Sequence, residues 1–254
     1  MTLECDTVAK NSSIIKILKL NGTMLKLNDQ GYTPLIFAII FGYNNWAKIL
    51  IENRVGINQL DYGNRSPLHW AMHEDNYEIF TALVQNKAKV NFVWRDLNVS
   101  LLFQAASYKK SKYAEVLIRN GADVDMINLN DDTALHVAAE VGAEDIVEML
   151  IKNFAKIDAK NALLETAIHL AADNGHMQVV EMLMNYGANF NLKDENDYTP
   201  LHMAVTNQHF DIVHCLIKYG ANIELRNDEQ NTPMEDGMQN DLMDVFKVMI
   251  FSHL

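Results

Sequence analysis

Apolar residues along this chain fall into two kinds of short run separated by polar breaks, and the pair of runs returns with a period of 33 residues. The first run is brief. In Pro200–Thr206, Leu201 and Ala204 lie three apart and share one face of a helix. The second run is longer: Ile146-Val147 and Leu150-Ile151 repeat four apart, the spacing of a buried helical stripe. Gly42, Gly142, Gly175 and Asn207 break the chain after first runs. Gly121, Gly187 and Gly220 end second runs and suit a left-handed cap. Asn- and Asp-rich stretches such as Asp194-Glu195-Asn196-Asp197 then predict the tip of a projecting hairpin loop. The pattern predicts an all-α chain of helix–turn–helix units.

Each unit opens on one phrase, starting at Thr33, Ser66, Ser100, Thr133, Thr166, Thr199 and Thr232. Ser66-Pro67-Leu68-His69-Trp70-Ala71 and Thr199-Pro200-Leu201-His202-Met203-Ala204 are clear copies, and Ser100-Leu101-Leu102-Phe103-Gln104-Ala105 is a looser one. Thr or Ser before an apolar run caps a helix by accepting an orphan backbone N–H. All four prolines, Pro34, Pro67, Pro200 and Pro233, fall at the first helical position, where a missing N–H costs nothing. A fixed period of this length means a solenoid of stacked units rather than a domain around one core.

The phrase, joined in constant phase to a second block such as Val213-His214-Cys215-Leu216-Ile217-Lys218-Tyr219-Gly220-Ala221-Asn222, resembles the ankyrin repeat over nearly the whole chain. The resemblance implies a single domain with repeats at 28–60, 61–94, 95–127, 128–160, 161–193 and 194–226. An N-terminal cap at 1–27 and a C-terminal cap repeat at 227–254 close it. Residues 14–18 are in phase with the second helices, with Lys16 and Lys19 outward. Glu4, Asp6 and the interrupting lysines argue against a signal peptide. In the last repeat Gly237 replaces the usual Ala, Asp236, Asp241 and Asp244 intrude, and 245–251 is expected as its second helix. The resemblance also implies that His69, His136, His169 and His202 tie unit to unit by hydrogen bonds, and that a protein partner sits on a concave face of hairpin tips and first-helix ends.

Charge changes the picture. Up to Ile127 there are 14 Lys+Arg against 12 Asp+Glu; from Asn128 on there are 7 against 21. Such acidity argues against nucleic acid, whose binding rests on neutralising phosphates. It suits a solvated surface or a docking field for a basic segment, since Asp131, Asp132, Glu165, Glu195, Asp197, Asp228 and Glu229 recur near the hairpin tips. No run of about 20 apolar residues marks a membrane span. Cys5 and Cys215 fall at opposite ends and are not expected to pair, which fits the cytoplasm, with the nucleus or a host cytosol as variants.

The partner-facing places carry large groups early in the chain: Tyr32, Phe41, Tyr62, Arg65 and His73. The third repeat is irregular. Trp94 is a one-residue insertion, and Leu97, Tyr108, Lys109 and Lys110 gather near it. These ten are the expected contact residues, because aromatics and Arg are enriched in interface hot spots. His69, His73 and Glu74 have a zinc-like spacing but lack a third convergent ligand. No metal, cofactor or catalytic set is expected, and the chain is expected to be a monomer by itself. The reading is a non-catalytic interaction module. The alternatives are a sequestering factor like the inhibitor-of-NF-kappa-B group, though without that group's acidic tail, and an ankyrin effector of an intracellular bacterium. Loop asparagines such as Asn91 and Asn191 also resemble asparaginyl-hydroxylase acceptors.

Overall fold

The computed structural model describes residues 29–94 and 98–239. The expectations for the cap at 1–27, for Cys5 and Leu97, and for the helix at 245–251 lie outside the described residues, as does the Trp94 side chain. The first helices are α1 (Pro34–Ile40), α3 (Pro67–His73), α5 (Leu101–Ser107), α7 (Ala134–Glu140), α9 (Ala167–Asp173), α11 (Pro200–Thr206) and α13 (Pro233–Gln239). The second helices are α2 (Asn44–Glu52), α4 (Tyr77–Gln85), α6 (Ser111–Arg119), α8 (Glu144–Lys152), α10 (Met177–Asn185) and α12 (Phe210–Lys218). Val93–Trp94 and Val99–Ser100 are two-residue strands, β1 and β2. The all-α repeat architecture expected from the periodicity is therefore what forms.

Helices of seven and nine residues are marginal alone and need caps and packing. The caps are those the phrase predicts. Thr33 Oγ1 accepts from Ile36 N at 3.2 Å, Ser66 Oγ from His69 N at 3.1 Å, and Ser100 Oγ from Phe103 N at 3.1 Å. The turn between paired helices needs a left-handed residue. Gly42, Gly142 and Gly175 supply it, but Asp75, Lys109 and Gln208 adopt it elsewhere, with φ of 52°, 51° and 62°. In the sixth repeat the break thus falls on Gln208, one residue beyond Asn207, whose φ is −92°.

The described residues group into two compact units. In the first, α1 packs on α3 and α2 on α4, burying Leu35, Ile36, Ile39, Ile51, Leu68, Ile79, Phe80 and Leu83. In the second, the first helices form a layer in the order α5, α7, α9, α11, α13, and α8, α10 and α12 form a parallel layer. Ala105, Ala138, Ala171 and Ala204 have no exposed surface, so each lets the next first helix approach closely. Leu102, Leu135, Ile146, Val147, Leu150, Leu183, Leu201 and Leu216 fill the space between the layers.

Candidate functional site

The hairpin tips are built by one recurring side chain. Asp61, Asn128, Asn161, Asp194 and Asn227 are buried or half-buried and stand five residues before the phrase. Each accepts the backbone N–H four residues ahead, from Arg65, Asp132, Glu165, Tyr198 and Asn231, at 2.8 to 2.9 Å. Tips are also joined along the stack: Tyr62 N donates to Gln30 O, Ala162 N to Asn130 O, Glu195 N to Leu163 O and Asp228 N to Asn196 O. The tips are therefore rigid, and the side chains on them are held out by the backbone.

Behind the tips lies a histidine ladder. In His136, His169 and His202 the ring Nδ1 accepts the backbone N–H of Thr133, Thr166 and Thr199 at 3.1 to 3.2 Å. The Nε2–H donates to a carbonyl of the next repeat, Glu165 for His136, Tyr198 for His169 and Asn231 for His202, and that of His169 also reaches Leu192 O in its own repeat. This pattern requires the neutral ring. Burial holds His136 below its ordinary pKa and lowers His169 and His202 to about 4. The structural role implied for these histidines is the one they play. The His69 ring lies 5.9 Å from that of Trp70 and 6.2 Å from that of His73.

In the first unit the expected contact residues divide. Tyr32 is not a surface group: it is 9% exposed and meets the Trp70 ring edge-on at 5.6 Å, so it belongs to the core. Arg65 is half-buried and fixed. Its Nε donates to Asp61 Oδ2 at 2.9 Å, and its guanidinium lies 4.2 Å from the centre of the Trp70 ring. Trp70 Nε1 donates to the same carboxylate oxygen at 3.0 Å. His73 is exposed, with its ring 5.3 Å from Trp70. Trp70 thus gathers Tyr32, Arg65 and His73, a hub that the sequence reading did not single out. Its signal was a bulky ring inside the phrase where other copies carry Phe37, Gln104, Val137, Leu170 and Met203.

Tyr62 and Phe41 are exposed, at 66% and 55%. The Tyr62 ring covers Gly31 so closely that a Cβ there would stand 2.6 Å from it. Phe41 leans on Phe37, with ring centres 4.3 Å apart. In the second unit Tyr108 is exposed at the turn between α5 and α6, Lys109 is exposed beside it, and the Lys110 ammonium lies 5.3 Å from the buried Tyr113 ring.

The far repeats of the second unit are acidic. Asp194, Asn196, Tyr198, Met203, Asp228 and Glu229 line a shallow hollow of about 340 Å³. Burial pushes the carboxyls of Glu165, Asp194 and Asp236 up, and neighbouring carboxylates push the same way. Glu195, Asp197, Asp228 and Glu229 are exposed, whereas Asp132 Oδ1 is taken by Asn161 Nδ2 at 3.0 Å. Asn191 Oδ1 accepts Asn222 N at 2.8 Å, and Asn91 Nδ2 donates to Gly121 O at 2.9 Å. Cys215 is a buried free thiol. Among the described residues no three His, Cys, Asp or Glu side chains converge as metal ligands, and no helix is long and apolar enough to cross a membrane.

A family model of ankyrin repeats, in three copies, matches residues 6–93, 95–161 and 155–227. Among curated proteins the chain is similar to Inversin of Canis lupus familiaris, 29% identical over 123 residues, which is 47% of this chain and 11% of that protein. Inversin of Homo sapiens is 28% identical over 123 residues, with the same shares. Inversin of Gallus gallus is 26% identical over 127 residues, 48% of this chain and 11% of that protein. The chain therefore matches only about a tenth of the length of these relatives.

Proposed function

This chain belongs to the ankyrin-repeat family, and on that premise we propose that it is a non-catalytic module holding a protein partner on its hairpin-side face. Ankyrin repeats generally mediate protein–protein interaction. The observation that carries the site is the exposure of Phe41 and Tyr62 in the first unit. At the corresponding places the repeats beginning at Thr166 and Thr199 carry Asn174 and Asn207, and Ala162 and Glu195. No core duty holds either ring in water. Tyr62 is braced on Gly31, and Arg65 is locked between Asp61 and Trp70, so these groups are ordered before a partner arrives. Binding then costs little side-chain entropy, which favours affinity. Phe41, Tyr62, Arg65 and His73 are the anchors assigned here in the first unit; Tyr32 acts only by supporting Trp70.

A basic segment is the partner chemistry favoured by the second unit, because Glu195, Asp197, Asp228 and Glu229 stand exposed at successive tips. Charge of this kind speeds encounter more than it tightens the complex, so association slows as salt is raised. The test compares the intact chain with Phe41→Ala/Tyr62→Ala as bait, with quantitative mass spectrometry of what each retains. A partner held by the wild type should bind the folded variant about 30- to 1000-fold more weakly, as removal of two hot spots predicts at about 2–4 kcal/mol. Equal retention by both baits would sink the aromatic site and leave the acidic tips.

A further inference from the structure

Three leucines stand on hairpin tips of the second unit where other tips carry polar residues. Leu129 is 66% exposed, Leu163 48% and Leu164 45%. The place of Leu163 holds Asn130, Asn196 and Glu229 in the neighbouring tips, and that of Leu164 holds Asp131, Asp197 and Gln230. Leu164 also has a φ of 59°. Asn and Asp tolerate that left-handed turn, whereas a branched apolar side chain is strained in it. A side chain so exposed offsets little of the strain through burial. Ala162 N donates to Asn130 O at 2.9 Å, so Leu129 and Leu163 adjoin the two ends of one hydrogen bond. The apolar patch therefore spans two tips that the backbone holds together.

Carboxylates follow the patch along the row. The tip stretches 127–132, 160–165, 193–198 and 226–231 carry eight Asp and Glu against three cations, Lys160, Lys193 and Arg226. Those three serve the stack: Lys160 Nζ donates to Lys193 O at 2.8 Å, Lys193 Nζ to Arg226 O at 2.6 Å, and Arg226 to Glu235 at 2.8 Å. Lys193 also stands 3.4 Å from Asp197, and Asn231 Nδ2 donates to Glu229 at 3.4 Å. Glu195 and Asp228 are exposed, and among the described residues neither carboxylate meets a cation. Both belong to the joined row, since Glu195 N donates to Leu163 O at 2.9 Å and Asp228 N to Asn196 O at 3.0 Å. In the hollow beside Asp228 and Glu229, Tyr198 and Met203 offer an apolar floor. A Lys or Arg can lay its stem on such a floor while its charge meets the carboxylates.

We propose that Leu129, Leu163 and Leu164 seat an apolar residue of an extended basic segment of another protein, whose cations to one side of that anchor meet Glu195 and then the hollow at Asp228 and Glu229. This rests on the reading of the chain as a partner-holding module and assigns what its second unit recognises. Charge complementarity selects the occupant. A second copy meeting the patch about a two-fold axis would set these acidic tips against their own counterparts. An anionic bilayer would meet the same carboxylates. Packed helices stand about 8–10 Å apart and an extended chain rises about 3.3 Å per residue, so one step from tip to tip matches about three residues. The cations therefore fall about three and six residues from the anchor.

The test selects, on the full chain, a peptide library with Leu fixed at the centre and Arg, Glu or Ser at each of six positions to either side. The counter-targets are Leu129→Ala/Leu163→Asn/Leu164→Asn and Glu195→Gln/Asp228→Asn/Glu229→Gln, both checked for wild-type circular dichroism. Arg should be enriched on one side of the anchor, at the third and sixth positions, and Glu depleted. Synthetic copies of the enriched peptides should bind each variant at least about tenfold more weakly by fluorescence anisotropy. Leu164→Asn alone should weaken binding while raising the thermal midpoint, a combination that a purely structural residue does not give. The Phe41→Ala/Tyr62→Ala chain should bind the same peptides as the wild type does. The proposal is overturned by no selection above background, by enrichment of Glu, by Arg without positional preference, or by peptides that bind the leucine variant as tightly as the wild type. Loss of binding in Phe41→Ala/Tyr62→Ala overturns it as well, as does a wild-type dimer in sedimentation equilibrium that the leucine variant lacks. None of these outcomes decides whether Phe41 and Tyr62 hold a partner, so the module reading stands or falls on its own test.

Discussion

Mild acid should unfold the second unit through its buried histidines. His169 and His202 have no exposed surface, and burial lowers both to about 4 in the folded chain, against 6.5 when unfolded. Because the folded value lies below the unfolded one, each ring's contribution is fully present above pH 6.5. It is lost as the pH falls through 6.5 towards 4, since the unfolded chain binds the proton first. The gap is worth about 3 kcal/mol per ring once fully crossed, and about 2 kcal/mol per ring by pH 5. Two rings therefore remove about 4 kcal/mol by that point, a large share of the roughly 5–15 kcal/mol that holds a domain together. His136 adds in the same direction. Glu165, Asp194 and Asp236 act oppositely, because burial raises their folded values and protonation relieves them. Urea denaturation followed by far-ultraviolet circular dichroism from pH 7.5 to pH 5 measures the slope. The wild-type midpoint should fall steeply, and a folded His169→Gln/His202→Gln chain should show a much flatter dependence. A wild-type midpoint that does not move, or a double variant with an undiminished slope, refutes the reasoning.

Two further outcomes test the packing. Leu135→Ala and Leu201→Ala empty positions that are 1% exposed, and each should cost about 2–5 kcal/mol, read as a lowered and broadened thermal transition because a repeat array can melt in part. A melt superimposable on the wild type would contradict this. Gly142→Ala and Gly42→Ala separate space from backbone: both positions are left-handed, but a Cβ at Gly142 would meet the His176 ring at 2.5 Å, whereas nothing lies within 4 Å of Gly42. Gly42→Ala should cost about 1 kcal/mol and Gly142→Ala clearly more, and equal losses of thermal stability would count against the contact.

The repeat itself was legible in the sequence because every signal that writes it is local. A hydroxyl before an apolar run, a proline at the first helical position and a glycine after the second helix each act within a few residues. Their phase therefore gives helix order and unit length without any tertiary knowledge. The histidine ladder was legible too, though only through the family resemblance, since carbonyl partners such as Glu165, Tyr198 and Asn231 come from the next repeat.

What tertiary structure decided was which side chains remain in water. Tyr32 and Tyr62 look alike in the sequence, both aromatic and both close to a phrase. One is closed under Trp70 and the other rests on Gly31 and stays open, because a glycine leaves room for a ring where a larger residue would not. Arg65 loses its freedom to Asp61, four residues away but brought round by the hairpin. Asp75, Lys109 and Gln208 take a conformation that glycine would choose, because packing on both sides of the turn fixes the backbone whatever residue stands there. Periodicity is a property of the chain taken one unit at a time; exposure depends on what the neighbouring unit covers, and that contact exists only once the units are stacked.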